Sequence, residues 1–333
     1  MFLAGLLLLV TATALLLARR WWVAELLANL PIQLALAFAV LLLAAALLRH
    51  PRSAALAAAG LLINLAITAP VLVETQRRNT DAPTDALTLD VTFFNAKYGT
   101  GNQEMIHYLQ DRNDAVVVLS LVSGGLADLI EMVAEGELTV RAGPGADRDG
   151  DLAMIALVRD PDAIVTVHRP TDDARDAIVE VVVDLDGQPV HVLATHPVSP
   201  LTPARAAQRN RTLERIAARA VAEDEPIVVM GDLNATPWSP YLRELLATAD
   251  LLDSQVGHGL QPSFPASRGR LGIAVDHVLH GPELRTIERR LGPAFGSDHR
   301  MVHAKLAWSH EAEAAASAPD WDAAHLASWQ QGR

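Results

Sequence analysis

Three long apolar runs occupy the first 75 residues of the chain, at 2–18, 30–48 and 54–73. Each run is close to the roughly 20 residues with which a helix crosses the hydrocarbon core of a bilayer. Both short joints between the runs carry arginine, and the first also carries two tryptophans, which are typical of the membrane interface. The pattern predicts three transmembrane helices, and hence a multi-pass protein of the cell membrane.

A cleaved signal peptide is the alternative interpretation of the first run. No basic residue precedes its apolar stretch and no small-x-small cleavage site follows it, so an anchor is favoured. Arginines flank the runs in similar numbers on both faces. The positive-inside rule therefore leaves open which side of the membrane holds the rest of the chain.

Beyond residue 88 the pattern changes to short apolar runs of β type, separated by helical stretches. Nine strands are predicted, at 89–94, 115–119, 152–158, 164–167, 177–183, 190–195, 227–230, 275–279 and 301–307, with helices at 103–111, 203–222 and 239–248. Asp186-Gly187 marks a hairpin turn. This alternation predicts an α/β sandwich. We divide the chain into a three-helix membrane anchor (1–75), a linker (76–88), an α/β domain (89–308) and a flexible tail (309–333).

Composition and charge exclude several classes of function. The absence of cysteine excludes disulfide frameworks, cysteine-ligated zinc, iron–sulfur clusters and thiol nucleophiles. After residue 75 the chain holds 23 basic and 37 acidic residues, and so acidic a surface repels duplex nucleic acid. The one arginine cluster, at positions 205, 209, 211, 215 and 219, is interpreted as the solvated face of a helix, with phosphate contact as the alternative.

Polar side chains follow several apolar runs, where they can converge on one cleft. Asp232 and Asn234 follow the run 227–230, and side chains two residues apart on a strand point to the same side. Such a pair suits a hard cation or an attacking water. The alternative is an Asp-x-Asn turn that caps the next helix.

A second pair is predicted between a carboxylate and an imidazole. Asp276 lies inside an apolar run and needs a partner if it is buried. His299 precedes the last run, and Asp276 can fix the tautomer of its ring. His196 and Asn95 follow two further runs. Together these positions predict one active site in the α/β domain.

Five segments follow one another along the chain: Asn95, Thr195-His196, the segment 231–237, Asp276-His277 and Ser297-Asp298-His299. In this order they resemble the endonuclease/exonuclease/phosphatase superfamily, which has a deoxyribonuclease I-like fold. The resemblance covers about residues 88–308. The anchor, in which paired tryptophans precede residues 25–29, looks like a bacterial membrane-anchored branch. The resemblance implies a four-layer α/β/β/α sandwich of two mixed sheets. It also implies that water hydrolyses phosphodiester or phosphomonoester bonds with magnesium, or manganese, as cofactor.

The resemblance also implies roles for the site residues. Asp232 would position or deprotonate the attacking water, Asn234 would hold this water and the phosphate, and His196 would contact the phosphate. Asp276 would orient His299, which would act with Asp232. Asp298 would sit at the metal, and Asn95 would support the first metal ligand. The expected partners are the lipid bilayer and a phosphate-ester substrate, either a small molecule or a lipid.

The chain departs from the family pattern at the principal metal ligand. A glutamate normally ends the strand predicted here at 115–119, but Leu119 and Ser120 occupy that place. No carboxylate follows until Asp128 and Glu131, and a family serine is missing within 150–157. The alternative function is therefore that of a catalytically impaired relative that serves as a binding or scaffold module.

Overall fold

A computed structural model of the chain describes residues 2–76, 88–97, 103–122, 139–142, 153–171, 173–185 and 187–308. Most of the predicted linker and the whole predicted tail lie outside the described residues. The same holds for Asp186, for Asp128 and Glu131, and for residues 150–152 of the second family departure.

The three apolar runs are helical, and a fourth helix lies between the first two. The helices are α1 (Phe2–Leu17), α2 (Trp22–Ala28), α3 (Pro31–Leu47) and α4 (Pro51–Gln76). Helices α3 and α4 form a hairpin in which a Cβ atom at Gly60 would lie 2.2 Å from the ring of Phe38, so only glycine fits. In the same bundle, Nδ2 of Asn64 donates to Oγ1 of Thr11, 3.2 Å away, which ties α4 to α1.

The prediction of three transmembrane helices is not confirmed by length and composition. Among the described residues, one helix is long and apolar enough to cross a membrane, over Pro51–Val73. Helices α1 and α2 would pass the same test together, but the chain bends by 111° between them. Helix α3 is shorter, with 17 residues. The bend and the short α3 were not visible in the apolar pattern, because apolar runs do not mark where a helix turns.

Two mixed six-stranded sheets form the centre of the α/β domain. The strands are β1 (Thr88–Asn95), β2 (Val116–Val122), β3 (Thr139–Ala142), β4 (Ala153–Val158), β5 (Ile164–His168), β6 (Ile178–Leu185), β7 (Gln188–Thr195), β8 (Ile227–Asp232), β9 (Leu252–Asp253), β10 (Asp276–His280), β11 (Leu284–Leu291) and β12 (Val302–Trp308). Their orders are β11-β12-β1-β2-β4-β3 and β5-β6-β7-β8-β10-β9. All nine predicted strands are present, and β3, β9 and β11 are additional.

Three apolar cores show how the layers stack. The largest lies between the two sheets and contains Phe93, Val118 and Val192. A second core lies between the first sheet and α5 (Gln103–Gln110). A third lies between the second sheet and the helices α6 (Pro203–Val221) and α7 (Pro240–Thr248). The order helix, sheet, sheet, helix is the predicted four-layer arrangement.

Helix α6 corrects the interpretation of the arginine cluster as a solvated face. Arg209 is fully buried, with 0% of its surface exposed. Arg219 lies 2.6 Å from Glu180, and Arg215 lies 3.5 Å from Asp176. These arginines pair with carboxylates on other elements, which a pattern along one helix does not reveal.

Candidate active site

Strand register brings the predicted site residues to one edge of the sandwich. Asn95, the last residue of β1, and Ser120, near the end of the parallel strand β2, are Cα partners. Asp232 and Asp276 are Cα partners on the antiparallel strands β8 and β10. A Cβ atom at residue 231 would lie 1.9 Å from the carbonyl oxygen of Thr195, so only Gly231 lets β8 approach β7 this closely.

Asp232 is the centre of this arrangement. Its Oδ2 atom accepts a hydrogen bond from Nδ2 of Asn95 at 3.0 Å. The same oxygen lies 3.4 Å from Nε2 of His196 and 3.6 Å from Nε2 of His299. Its Oδ1 atom accepts from the backbone N–H of Asn234 at 3.0 Å. The buried carboxylate of Asp232 therefore contacts four other residues of the site.

Asp276 and His299 form the predicted carboxylate–imidazole pair. Oδ2 of Asp276 lies 2.8 Å from Nδ1 of His299. On the other side, the ring of Phe264 lies 4.7 Å from the imidazole, centroid to centroid. These contacts fix the ring so that its Nε2 atom faces Asp232 rather than solvent.

The protonation states of the site follow from burial and from these carboxylates. Burial alone would lower the pKa of His299, but the charges of Asp276 and Asp232 outweigh it and raise the pKa to about 9. Burial, reinforced by the charge of Asp276, raises the pKa of Asp232. Burial lowers the pKa of His196 despite the charge of Asp232. At neutral pH the site therefore combines an imidazolium at His299 with a neutral imidazole at His196.

Ser120, which stands where the family pattern has its glutamate, lies at the site. It is buried, and its Oγ atom lies 3.1 Å from Nδ1 of His196. The hydroxyl thus contributes to holding His196. It supplies no charge where the family pattern has a carboxylate.

The prediction that the side chains of Asp232 and Asn234 share one face of a strand is wrong. Strand β8 ends at Asp232, and Asn234 adopts the left-handed region with φ of 50°. Its Nδ2 atom donates to the carbonyl oxygen of Pro197 at 3.0 Å. The alternative also holds only in part, because Asn234 does form a turn with Asp232 but the cap of α7 is Ser239, whose Oγ accepts from the N–H of Tyr241.

Lys97 is a site residue that the sequence reasoning missed. Its ammonium forms an ion pair with Oδ2 of Asp298. Its backbone N–H donates to Oδ1 of Asn95 at 3.1 Å. The one available signal was its position two residues after Asn95. A cation therefore already contacts the carboxylate that was assigned to the metal.

The donor atoms fit a hard divalent cation. Ligand atoms of Asp232, Asp276 and His299 all lie within 4.8 Å of one another. Because the imidazolium of His299 has no free lone pair for a cation, the carboxylates are the available ligands of this group. Among the described residues, Oδ1 of Asp276 and Oδ1 of Asp298 are buried without a hydrogen-bond partner. Carboxylate oxygens are the ligands that magnesium and manganese prefer. The set holds fewer free carboxylates than the family pattern, because Ser120 is neutral and Lys97 engages Asp298.

A second cluster of possible ligands, formed by Glu180, His191 and Glu223, lies on another part of the second sheet. Arg219 contacts both of its carboxylates. Glu180 also contacts His191 and His168, at 2.6 and 2.5 Å. The carboxylates of this cluster already have Arg219 as their cation, and in this respect the cluster differs from the site around Asp232.

Comparisons with known proteins identify the family and the fold of the chain. The sequence profile described as "Endonuclease/Exonuclease/phosphatase family" matches residues 60–299. No curated protein matches the chain. Among solved structures, a humanized D. rerio TDP2 with 14 mutations has a TM-score of 0.54 at 14% identity, with 66% of this chain and 99% of that chain covered.

Two further structures show the same fold. The endonuclease/exonuclease/phosphatase from Beutenbergia cavernae has a TM-score of 0.52 at 19% identity, with 67% of this chain and 72% of that chain covered. D. rerio TDP2 in complex with a single strand DNA product has a TM-score of 0.51 at 14% identity, with 66% and 98% covered. With the profile match across most of its length, the chain belongs to the endonuclease/exonuclease/phosphatase family.

Proposed function

We propose that the chain is a membrane-anchored, metal-dependent hydrolase of phosphodiester or phosphomonoester bonds. Family membership and fold suggest metal-dependent hydrolysis of phosphoesters. The observation that carries the proposal for this chain is the placement of His299 between two buried carboxylates, Asp276 at 2.8 Å and Asp232 at 3.6 Å. This arrangement provides a base and a cation at adjoining positions.

Asp232 is the proposed base for the attacking water. Its raised pKa makes the carboxylate a stronger proton acceptor than an ordinary aspartate, and Asn95 fixes its Oδ2 atom. The imidazolium of His299 faces the same oxygen and can stabilise the negative charge that develops on the phosphoryl oxygens. Asp276 keeps that imidazole charged and oriented. Asp232 and His299 thus act together on the water.

The two remaining catalytic residues have supporting roles in the proposal. His196 is neutral and buried beside Asp232, so it can contact a phosphate without adding charge. Ser120 holds its other ring nitrogen. Asn234 acts through its backbone N–H on Oδ1 of Asp232, because its side-chain amide is bound to Pro197.

Asp298 and Asn95 are the residues proposed to hold the divalent ion, which we propose to be magnesium, with manganese as the alternative. Asp298 offers a buried carboxylate oxygen with no hydrogen-bond partner, and Asn95 borders the same cleft. A bound ion supplies charge neutralisation at the phosphoryl oxygens. Lys97 lies on the other oxygen of Asp298 and lowers the net charge of the site.

A multi-pass anchor by α1, α3 and α4 is part of the proposal. Polar contacts between α1 and α4 are buried inside the bundle, while large apolar side chains such as Leu9, Val40 and Leu62 are exposed on it. A bilayer would cover these side chains. Proximity to the bilayer favours a lipid or a small phosphate ester as substrate. The acidic domain disfavours duplex nucleic acid.

Turnover of chromogenic esters by the full-length chain tests this proposal. Bis(p-nitrophenyl) phosphate reports diester cleavage, and p-nitrophenyl phosphate reports monoester cleavage. His299→Gln and Asp276→Asn should each lower kcat by about 10²–10⁴. Asp184→Asn, at an exposed hairpin position, is the control and should keep wild-type turnover. Full activity of His299→Gln would reject the assigned site.

A further inference from the structure

The segment between the first two apolar runs is packed against the active-site loops through buried polar contacts. We call residues 19–33 the elbow, because they contain the sharp bend between α1 and α2 and the start of α3. We propose that the elbow is a positioning element of the catalytic site, in which Glu25 and Asn29 hold the loop after β8. This inference rests on the proposed function for its kinetic readout only.

A buried ion pair joins the elbow to α6. Nη2 of Arg209 lies 2.8 Å from Oε2 of Glu25, and both side chains are at most 1% exposed. Oε1 of Glu25 accepts from Oγ of Ser239 at 2.9 Å. A charge this deeply buried is stable only with its partner in place. The pair therefore fixes the relative position of the elbow, α6 and the start of α7.

Arg209 also contacts the loop after β8, which carries Asn234. Its Nη1 atom donates to the carbonyl oxygen of Asn234 at 2.9 Å. Asn234 has a left-handed backbone conformation, which asparagine tolerates better than most residues, and this hydrogen bond helps to hold it. The N–H of the same residue donates to Oδ1 of Asp232. The peptide groups on both sides of Asn234 are thus held between the anchor and the proposed base.

Asn29 supplies a second contact of the same kind. Its Oδ1 atom accepts from the backbone N–H and the Oγ1 of Thr236, at 2.9 and 2.7 Å. Its Nδ2 atom donates to the backbone oxygen of Glu25 at 2.8 Å. The elbow therefore contacts residues 236 and 239 of this loop directly, and residue 234 through Arg209.

A second active-site loop also contacts the elbow. Nε2 of Gln33 donates to the carbonyl oxygens of Leu271 and Gly272, both at 3.2 Å. That loop begins near Phe264, which packs on His299, and the N–H of Ala266 donates to the backbone oxygen of Asp298 at 2.7 Å. Both of these loops are thus fixed to the elbow, which a simple tether would not require.

Two variants of the full-length chain, studied in detergent micelles, test whether the elbow positions the loop after β8 or only attaches the domain to the membrane. Asn29→Leu removes the acceptor for Thr236 without leaving a buried charge. In Glu25→Gln/Arg209→Met, both buried charges are lost, which avoids an unpaired ion. Both variants should remain folded, lower kcat by about 10- to 100-fold and change KM by less than about twofold. Glu244→Gln, which removes the exposed pair of Glu244 with Arg19, is the matched control and should not change kcat.

Hydrogen exchange gives a readout that does not depend on turnover. The peptide covering residues 233–239 should exchange faster in both variants than in the wild type, while peptides from β6 and β7 should not change. Wild-type kcat and wild-type exchange in both variants would overturn the inference. If the wild type hydrolyses no phosphoester, the proposed function fails, and the exchange data alone still decide whether the elbow holds the loop.

Discussion

Ser120, near the end of β2, lies opposite Asn95, the last residue of the parallel strand β1, and its hydroxyl is 3.1 Å from Nδ1 of His196. The resemblance places a metal-binding glutamate at this position. Because the register brings residue 120 to the edge of the cleft, a longer acidic side chain there could reach the ion. The main departure from the family pattern therefore lies inside the site and can be reversed by one substitution.

Ser120→Glu should bind magnesium more tightly than the wild type. The added carboxylate contributes a full negative charge beside the proposed ligands, and roughly a tenfold or larger gain is expected. Calorimetric titration of the full-length chain measures it. Ser120→Gln is the control of equal size without the charge and should show no gain. Unchanged or weaker binding by Ser120→Glu would mean that another carboxylate, such as Asp128 or Glu131, already fills this role.

Lys97→Met should also strengthen metal binding, for a different reason. The Lys97 ammonium occupies Oδ2 of Asp298 and competes with the ion for that carboxylate. A partly exposed ion pair contributes about 0.2–1 kcal/mol, so affinity should rise by roughly 1.4- to fivefold. Lys305→Met, which removes a lysine paired with Asp90 instead, should leave affinity unchanged. A fall in affinity of Lys97→Met would show that Lys97 does not compete for the metal site.

Much of the α/β domain could be predicted from the sequence because its central strands are continuous apolar runs. Strand β11 was missed because Arg285, Glu288 and Arg289 interrupt its apolar pattern, and only pairing with β12 makes it a strand. The site was predictable where a polar residue ends such a run, as at Asp232. Contacts between distant residues were not predictable, such as that of Arg209 with Glu25, 184 positions away.

His303 should make the fold sensitive to acid. Burial, with a contribution from Arg112, lowers the pKa of its imidazole to about 3. Between pH 3 and about 6.5 the unfolded chain binds a proton there and the folded chain does not. The free energy of unfolding should therefore fall by about 1.4 kcal/mol for each pH unit below 6.5. Unfolding curves from pH 7 to 4 measure this slope.

His303→Gln should reduce the slope of the unfolding free energy against pH by about 1.4 kcal/mol per pH unit, the contribution of one proton, because glutamine does not titrate. Both chains are compared in the same detergent and over the same pH range. An equally steep slope in the variant would assign the acid sensitivity to other groups.

The full-length chain should stay in the membrane fraction through washes with sodium carbonate and with high salt. Three apolar helices hold a protein in the bilayer more firmly than a peripheral contact does. Fractionation followed by immunoblotting measures the distribution. Release by salt alone would contradict the multi-pass anchor and leave the exposed apolar side chains of α1, α3 and α4 to be covered by another protein.

The dependence of turnover on metal and on Asp232 is the most direct test of the proposed hydrolase function. The purified full-length chain is assayed with both chromogenic esters after treatment with a chelator, and again after magnesium or manganese is restored. At least one ester should be hydrolysed with the metal and not without it. The rate of Asp232→Asn should be lower than that of the wild type by a factor of about 10²–10⁴, while the variant remains folded. Equal turnover by Asp232→Asn, or no turnover by the wild type with either metal, would contradict the account.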